Sequence, residues 1–64
     1  MQNNVDQSFP EARRKEIFLA LVEAQDQRMS VSQSREFISQ RYGISERQIR
    51  EIEEEGLEQQ WPPL

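Results

Sequence analysis

The chain has 64 residues, with 12 acidic and 8 basic side chains and neither cysteine nor histidine. Its length allows one small domain, and the lack of cysteine excludes disulfides and thiolate metal sites. The whole net charge of −4 arises after residue 45, where six glutamates accompany two arginines, so little positive charge is left to displace counterions from a nucleic acid.

The sequence predicts a first helix over about residues 10–26. Residues 1–7 before it are polar and without periodicity, so we expect a disordered N-terminal tail. Pro10 suits a first helical position, where its missing N–H leaves no hydrogen bond unmade. Apolar residues then recur at the spacing of one helix face. That face carries Ile17, Leu21 and Ala24, with Phe18 and Val22 beside them.

A second helix is predicted over about residues 32–42. Ser30 with Gln33 forms a capping box at its start, although Ser34 offers a later one. Gly43 ends the helix, because the residue after a helix is often left-handed and glycine adopts that conformation at little cost. The side chains expected to face the core are Phe37, Ile38 and Tyr42, with Val31 as a further candidate.

The third helix, predicted over about residues 46–60, has the clearest start signal. Ser45 and Gln48 form a capping box, and Ile44 and Ile49 form a hydrophobic staple around it. Gly56 lies on the apolar face, where a missing side chain allows close packing. We therefore expect the helix to pass through it and to stop at the prolines after residue 61. The apolar face carries Ile49, Ile52, Gly56, Leu57 and Trp61.

These elements predict an all-α fold, a three-helix bundle over residues 8–61, followed by a C-terminal tail at 62–64. The second and third helices also have the spacing of a helix-turn-helix, with the small Ser39 where the helices cross and Gly43 at the turn. The apolar positions that lock such a pair are Ile38, Tyr42, Ile44, Ile49 and Ile52. All seven positions carry a suitable residue, so the spacing is a specific signal for this fold.

The stretch REFISQRYGISERQIREIEEEGL, residues 35–57, resembles region 4, the promoter-recognition domain of bacterial sigma-70-type factors. The resemblance implies that the last helix enters the major groove and reads bases with its first turns. Arg50 matches an arginine of the family, whereas Glu46 replaces a residue that is usually basic and Glu51 one that is often glutamine. The family then turns basic where this chain has Glu53, Glu54, Glu55 and Glu58, so the family's promoter specificity does not transfer.

The first functional hypothesis is a DNA-binding regulator of transcription in the cytoplasm. The side chains expected at the DNA are Ser45, Glu46, Arg47, Gln48, Arg50 and Glu51, the glutamates accepting from cytosine amino groups. A module with so few basic groups should bind double-stranded DNA weakly as a monomer, so a dimer or a larger partner would supply affinity. The alternative for Arg47 and Arg50 is ion pairing with nearby glutamates. The basic cluster at 13–15 either contacts phosphates or is solvated.

The second hypothesis is a protein-interaction module. Its acidic third helix, through Glu53, Glu54 and Glu55, would dock on RNA polymerase or another transcription protein, unless this run is simply a solvated face. Trp61 is expected to pack on the first helix and close the core. If it were exposed, it would be an anchor for a partner. A third hypothesis is a structural homodimer built on Trp61 and the first helix.

Catalysis is not predicted for this chain. It has no histidine, no glycine-rich phosphate loop and no metal-ligand spacing, and its carboxylates lie on one helix without a cleft. We therefore expect no enzymatic activity, cofactor or metal. The sequence begins with neither a basic nor an apolar segment, and its longest apolar run, residues 17–22, is too short to cross a bilayer. These features indicate a soluble protein that does not enter membranes.

Overall fold

A computed structural model of the protein describes residues 9–64; the predicted N-terminal tail at 1–7 lies outside the described residues. Residues 9–64 form three helices and no strand: α1 (Glu11–Asp26), α2 (Val31–Tyr42) and α3 (Glu46–Gln59). Each helix contacts the other two, so the predicted all-α three-helix bundle is confirmed, with every helix end within one residue of its predicted position. In residues 9–64 no helix has the length and apolar character needed to cross a membrane.

The helix ends form as their local sequences predict. At the start of α2, Gln33 N–H donates to Ser30 Oγ at 3.0 Å, and Ser30 N–H donates to Gln33 Oε1 at 3.1 Å. The same reciprocal pair, Ser45 with Gln48, starts α3 with two bonds of 3.1 Å. Gly43 ends α2 with φ = 67°, in the left-handed region. Both capping boxes and the glycine stop are therefore confirmed.

One apolar core lies between the three helices. Trp61, after the end of α3, is only 5% exposed and packs edge-on against Phe18, with ring centroids 6.0 Å apart and planes at 81°. This arrangement confirms that Trp61 closes the core against α1. The core cluster consists of Ile17, Phe18, Leu21, Ile38, Ile44, Ile49, Ile52 and Trp61.

Three apolar side chains predicted to face the core are exposed instead: Val31 at 49%, Phe37 at 43% and Leu57 at 56%. A helix turns by about 100° per residue, so a burial prediction one residue off points a side chain away from the core. In α2 the buried line passes through Ser34 and Ile38, which turns Phe37 outward.

Ser34, which the apolar pattern does not mark, is fully buried against α1. Its hydroxyl donates to Val31 O at 2.8 Å and accepts from Gln25 Nε2 at 3.2 Å. A small, hydrogen-bonded side chain allows α1 and α2 to approach closely without leaving a buried polar atom unpaired.

Gly56 has the predicted role of a close contact inside a continuous helix. A β-carbon at this position would overlap the ring of Phe18, so the ring packs directly on the backbone of α3. One turn later Gln60 adopts φ = 55°, and Trp61 N–H donates to Gly56 O at 2.9 Å. This C-terminal motif turns the chain back so that Trp61 reaches the core. Leu57, next to Gly56, consequently points to solvent.

Candidate nucleic-acid interface

The connection between α2 and α3 is a tight turn closed by two hydrogen bonds between Ser39 and Ile44. Ser39 Oγ donates to Ile44 O, and Ile44 N–H donates back to Ser39 O at 3.1 Å. Ile44 and Ile49, the two staple residues, are buried in the core. Because Ser39 is small and half-buried, α2 and α3 cross closely, and the start of α3 is fixed relative to α2.

The first turns of α3 present most of the predicted DNA-reading residues to solvent. Ile49 and Ile52 hold the opposite side of the helix in the core. Gln48 is half-buried, and its side-chain oxygen accepts from Ser45 N–H in the capping box, which leaves its amide nitrogen available to a ligand. The exposed members of the predicted set are Ser45, Glu46, Arg47, Arg50 and Glu51.

The two arginines of α3 differ in their partners. Arg47 Nε lies 3.7 Å from Glu51 Oε2, with the arginine side chain 83% exposed, so this pair is weak and open to water. Arg50 is exposed and has no carboxylate within ion-pair distance among residues 9–64. The predicted pairing within the helix therefore applies to Arg47, and the Arg50 guanidinium remains available to an outside ligand.

The acidic run of α3 is divided by ion pairs to the other helices. Arg35 on α2 donates from Nε and Nη2 to Glu53 Oε1, at 3.1 and 2.8 Å. Arg14 on α1 binds Glu55 with two bonds, Nε to Oε1 at 2.8 Å and Nη2 to Oε2 at 2.9 Å. Of the three, only Glu54 is exposed. The run therefore consists of two half-buried, paired glutamates and one exposed glutamate, and its predicted role in docking a protein stays a prediction.

The Arg14–Glu55 pair is the most strongly bonded of these contacts. Arg14 Nη1 also donates to Phe9 O at 2.7 Å, so the guanidinium joins α3 to the chain two residues before α1. Its hydrogen bond with the Glu55 carboxylate raises the pKa of Arg14, because the charged guanidinium donates to a carboxylate more strongly than the neutral form would. This pair could not be predicted from local spacing, because Arg14 and Glu55 are 41 residues apart in the chain.

The other basic side chains near the start of α1 are also engaged within the domain. Arg13 binds Glu16 at 3.1 Å and lies 5.0 Å from the ring centre of Tyr42. Lys15 lies 3.2 Å from Glu11, and its ammonium is 6.0 Å from the ring centre of Trp61. Trp61 itself is buried, so the condition for an exposed aromatic anchor is not met. The basic groups of the bundle are thus mostly used internally.

A groove that the sequence did not indicate opens between α1 and α2, with a volume of about 320 Å³. Phe37 and Leu19 line it, and they are 43% and 39% exposed. The groove was missed because Phe37 was assigned to the core. In residues 9–64 no cluster of three or more histidine, cysteine, aspartate or glutamate side chains is placed to hold a metal ion.

Comparison of the chain with models of known protein families, with curated proteins and with solved structures finds no match. The resemblance to sigma region 4 therefore stays a prediction that depends on the residues of the helix-turn-helix itself.

Proposed function

We propose that the protein is a DNA-binding domain that acts in transcription, with the first turns of α3 in the major groove. The observation that carries this proposal is the division of charge along α3. Its exposed first turns hold Arg47 and Arg50, whereas Glu53 and Glu55 turn toward α2 and α1 and are paired there. Two of the glutamates that argue against DNA binding are thus paired and turned away from the proposed contact surface, where Glu46 and Glu51 still accompany the two arginines.

The proposed roles follow from the chemistry of each side chain. Arg50, which is unpaired within residues 9–64, would contact a guanine edge or a phosphate. Arg47 would exchange its weak contact with Glu51 for a phosphate. Glu46 and Glu51 would accept from cytosine amino groups. Ser45 and Gln48, which cap the helix, mainly hold its first turn in place.

Binding by one copy should be weak. Two arginines that displace counterions give a slope of log affinity against log salt of about −2. A second copy or a larger protein, such as RNA polymerase or another transcription protein, would then supply the remaining affinity.

An NMR titration of labelled protein with a mixed-sequence duplex at low salt tests the proposal. We expect amide signals of residues 45–51 to shift, and the shifts to fade as salt rises. Arg50→Ala should reduce them strongly. Arg28→Asn is the matched control, because it removes one exposed charge from the connection between α1 and α2, at a left-handed position that asparagine tolerates. Unchanged spectra in a folded protein, with Arg50→Ala indistinguishable from wild type, would overturn the proposal.

A second candidate function is docking of the far end of α3 on a basic protein surface. It is favoured by Leu57, which is 56% exposed and lies between the exposed Glu54 and Glu58. Glu54→Lys separates the two functions without disturbing the paired Glu53 and Glu55. The substitution should strengthen duplex binding if α3 binds DNA, and abolish complex formation if it binds a basic protein.

A further inference from the structure

The groove between α1 and α2 exposes large apolar side chains beside charges of both signs. Leu19 from α1 and Phe37 from α2 are its largest exposed apolar side chains, with the half-buried Ala20 and Tyr42 beside them. Adjacent exposed apolar side chains on a small soluble domain commonly mark an interaction surface. Every residue that lines the groove belongs to α1, to α2 or to the end of α1 at Gln27. The surface is therefore separate from the proposed DNA-binding turns.

The charges at the groove indicate which partner fits it. Glu23 on α1 and Arg41 on α2 both line the groove and are exposed, and neither forms an ion pair within residues 9–64. Glu16, the other carboxylate there, already pairs with Arg13. A uniformly acidic partner would be repelled by Glu23, and a uniformly basic one by Arg41. A partner fits if it has an apolar centre with a basic group opposite Glu23 and an acidic group opposite Arg41.

We propose that this partner is a second copy of the chain. In a two-fold dimer each contact occurs twice, so Glu23 of one copy meets Arg41 of the other, and the reverse. The Phe37 and Leu19 side chains of the two copies then cover one another at the centre. Because the shared surface is one groove and its rim, the dimer is weak, with a dissociation constant of about a micromolar or above.

The dimer proposal does not rest on DNA binding, since no residue of α3 lines the groove. If both proposals hold, a dimer carries two exposed α3 helices, and its second contact with a duplex becomes intramolecular. If only the dimer forms, its mass still doubles while the duplex titration stays silent. The two proposals can therefore fail separately.

Sedimentation velocity of the full chain, from well below to well above the expected dissociation constant, is the first test. We expect the mass to rise from one copy to two. Phe37→Ser should leave a monomer at every concentration. Val31→Ser is the matched control, because Val31 lies on the same helix, is 49% exposed and does not line the groove. Circular dichroism checks that both variants remain helical.

An exchange of charges tests the two-fold arrangement itself. Glu23→Arg alone places two arginines opposite one another at both contacts, and Arg41→Glu alone places two glutamates there. Each variant should dimerise about tenfold more weakly than wild type. An equimolar mixture of the two variants restores an opposite-charge pair at both contacts, so mixed dimers should recover the wild-type affinity.

The outcomes separate the second copy from other occupants. Loss of the dimer in Phe37→Ser, its retention in Val31→Ser and its recovery in the mixture support the proposal. Two results overturn it. One is a chain that stays monomeric, with the groove covered by residues 1–8 of the same chain or by nothing. The other is a dimer that Phe37→Ser and the charge variants leave unchanged, since it would use a different surface.

Discussion

At the scale of single residues, Gly56 determines how closely α1 and α3 pack. The ring of Phe18 occupies the space that any β-carbon at position 56 would need, and Phe18 is only 1% exposed. The carbonyl of Gly56 also accepts the bond that returns Trp61 to the core. The missing side chain at position 56 thus sets the spacing of α1 and α3 and the position of the Phe18 ring.

Gly56→Ala should therefore destabilise the domain, although alanine is the better helix former. The helix propensity gain is about 1 kcal/mol, whereas forcing extra volume into a packed core costs about 1–3 kcal/mol. We expect a net loss of up to about 2 kcal/mol in urea unfolding. In a Phe18→Leu background, which removes the ring, the same substitution should cost much less. Equal costs in the two backgrounds would show that the ring does not limit the contact.

At the scale of helices, α3 is tied to its neighbours by one ion pair on each side. Glu53 binds Arg35 of α2, and Glu55 binds Arg14 of α1, with Ile52 and Gly56 buried between the two contacts. The geometry of the Arg14 pair is two-pronged, which adds direction as well as attraction. These pairs fix the rotation of α3 about its axis and so determine which side chains its exposed face carries.

A double-mutant cycle on Arg14→Met and Glu55→Met should give a coupling of about 1 kcal/mol, reduced from a buried pair by partial exposure. The exposed Arg47–Glu51 pair, as the comparison, should give about 0.3 kcal/mol. The pKa of Arg14 is raised in the folded protein. The pair's contribution to stability is therefore complete at any pH below the pKa of an arginine in the unfolded chain, and it is lost only as the pH rises through the pKa of Arg14 in the folded protein. The coupling should thus be constant from neutral to mildly alkaline pH. A coupling no larger than that of Arg47–Glu51 would contradict this role.

The features that the sequence predicted correctly depend on residues close together in the chain, whereas those that it missed depend on contacts between distant residues. The capping boxes, Gly43 and the passage of α3 through Gly56 are decided within about one helical turn, and all of them formed as predicted. Which side of α2 packs inward depends on α1, so Phe37 was misplaced and Ser34 was overlooked. The Arg14–Glu55 pair joins opposite ends of the chain. Five of the six candidate DNA-binding residues are exposed, which follows from the local cap and staple, and their role at DNA stays a prediction.

At the scale of the whole molecule, the internal ion pairs redistribute charge over the surface. Arg14 pairs with Glu55, and Arg35 pairs with Glu53, so these four charges offset one another within the domain. The exposed face of α3 then carries two arginines and two glutamates in its first turns, and only glutamates, Glu54 and Glu58, toward its end. If the first turns of α3 enter the major groove of DNA, the far end of the helix lies farther from the phosphates. Seven residues of helix span about 10 Å, close to the distance over which salt at 0.1 M screens a charge.

Replacing the glutamates of this face one at a time by glutamine should therefore give a gradient in duplex affinity. On a duplex of mixed sequence, where no cytosine is selected for contact with Glu51, Glu51→Gln should strengthen binding most, since it also releases Arg47 from its contact. Glu54→Gln should have an intermediate effect and Glu58→Gln the smallest, and all three effects should shrink as salt rises. Fluorescence anisotropy with a short labelled duplex at low salt measures each affinity. Equal effects along the helix would mean that α3 lies flat along the major groove of the DNA. A reversed gradient would mean that the far end of α3 contacts the DNA.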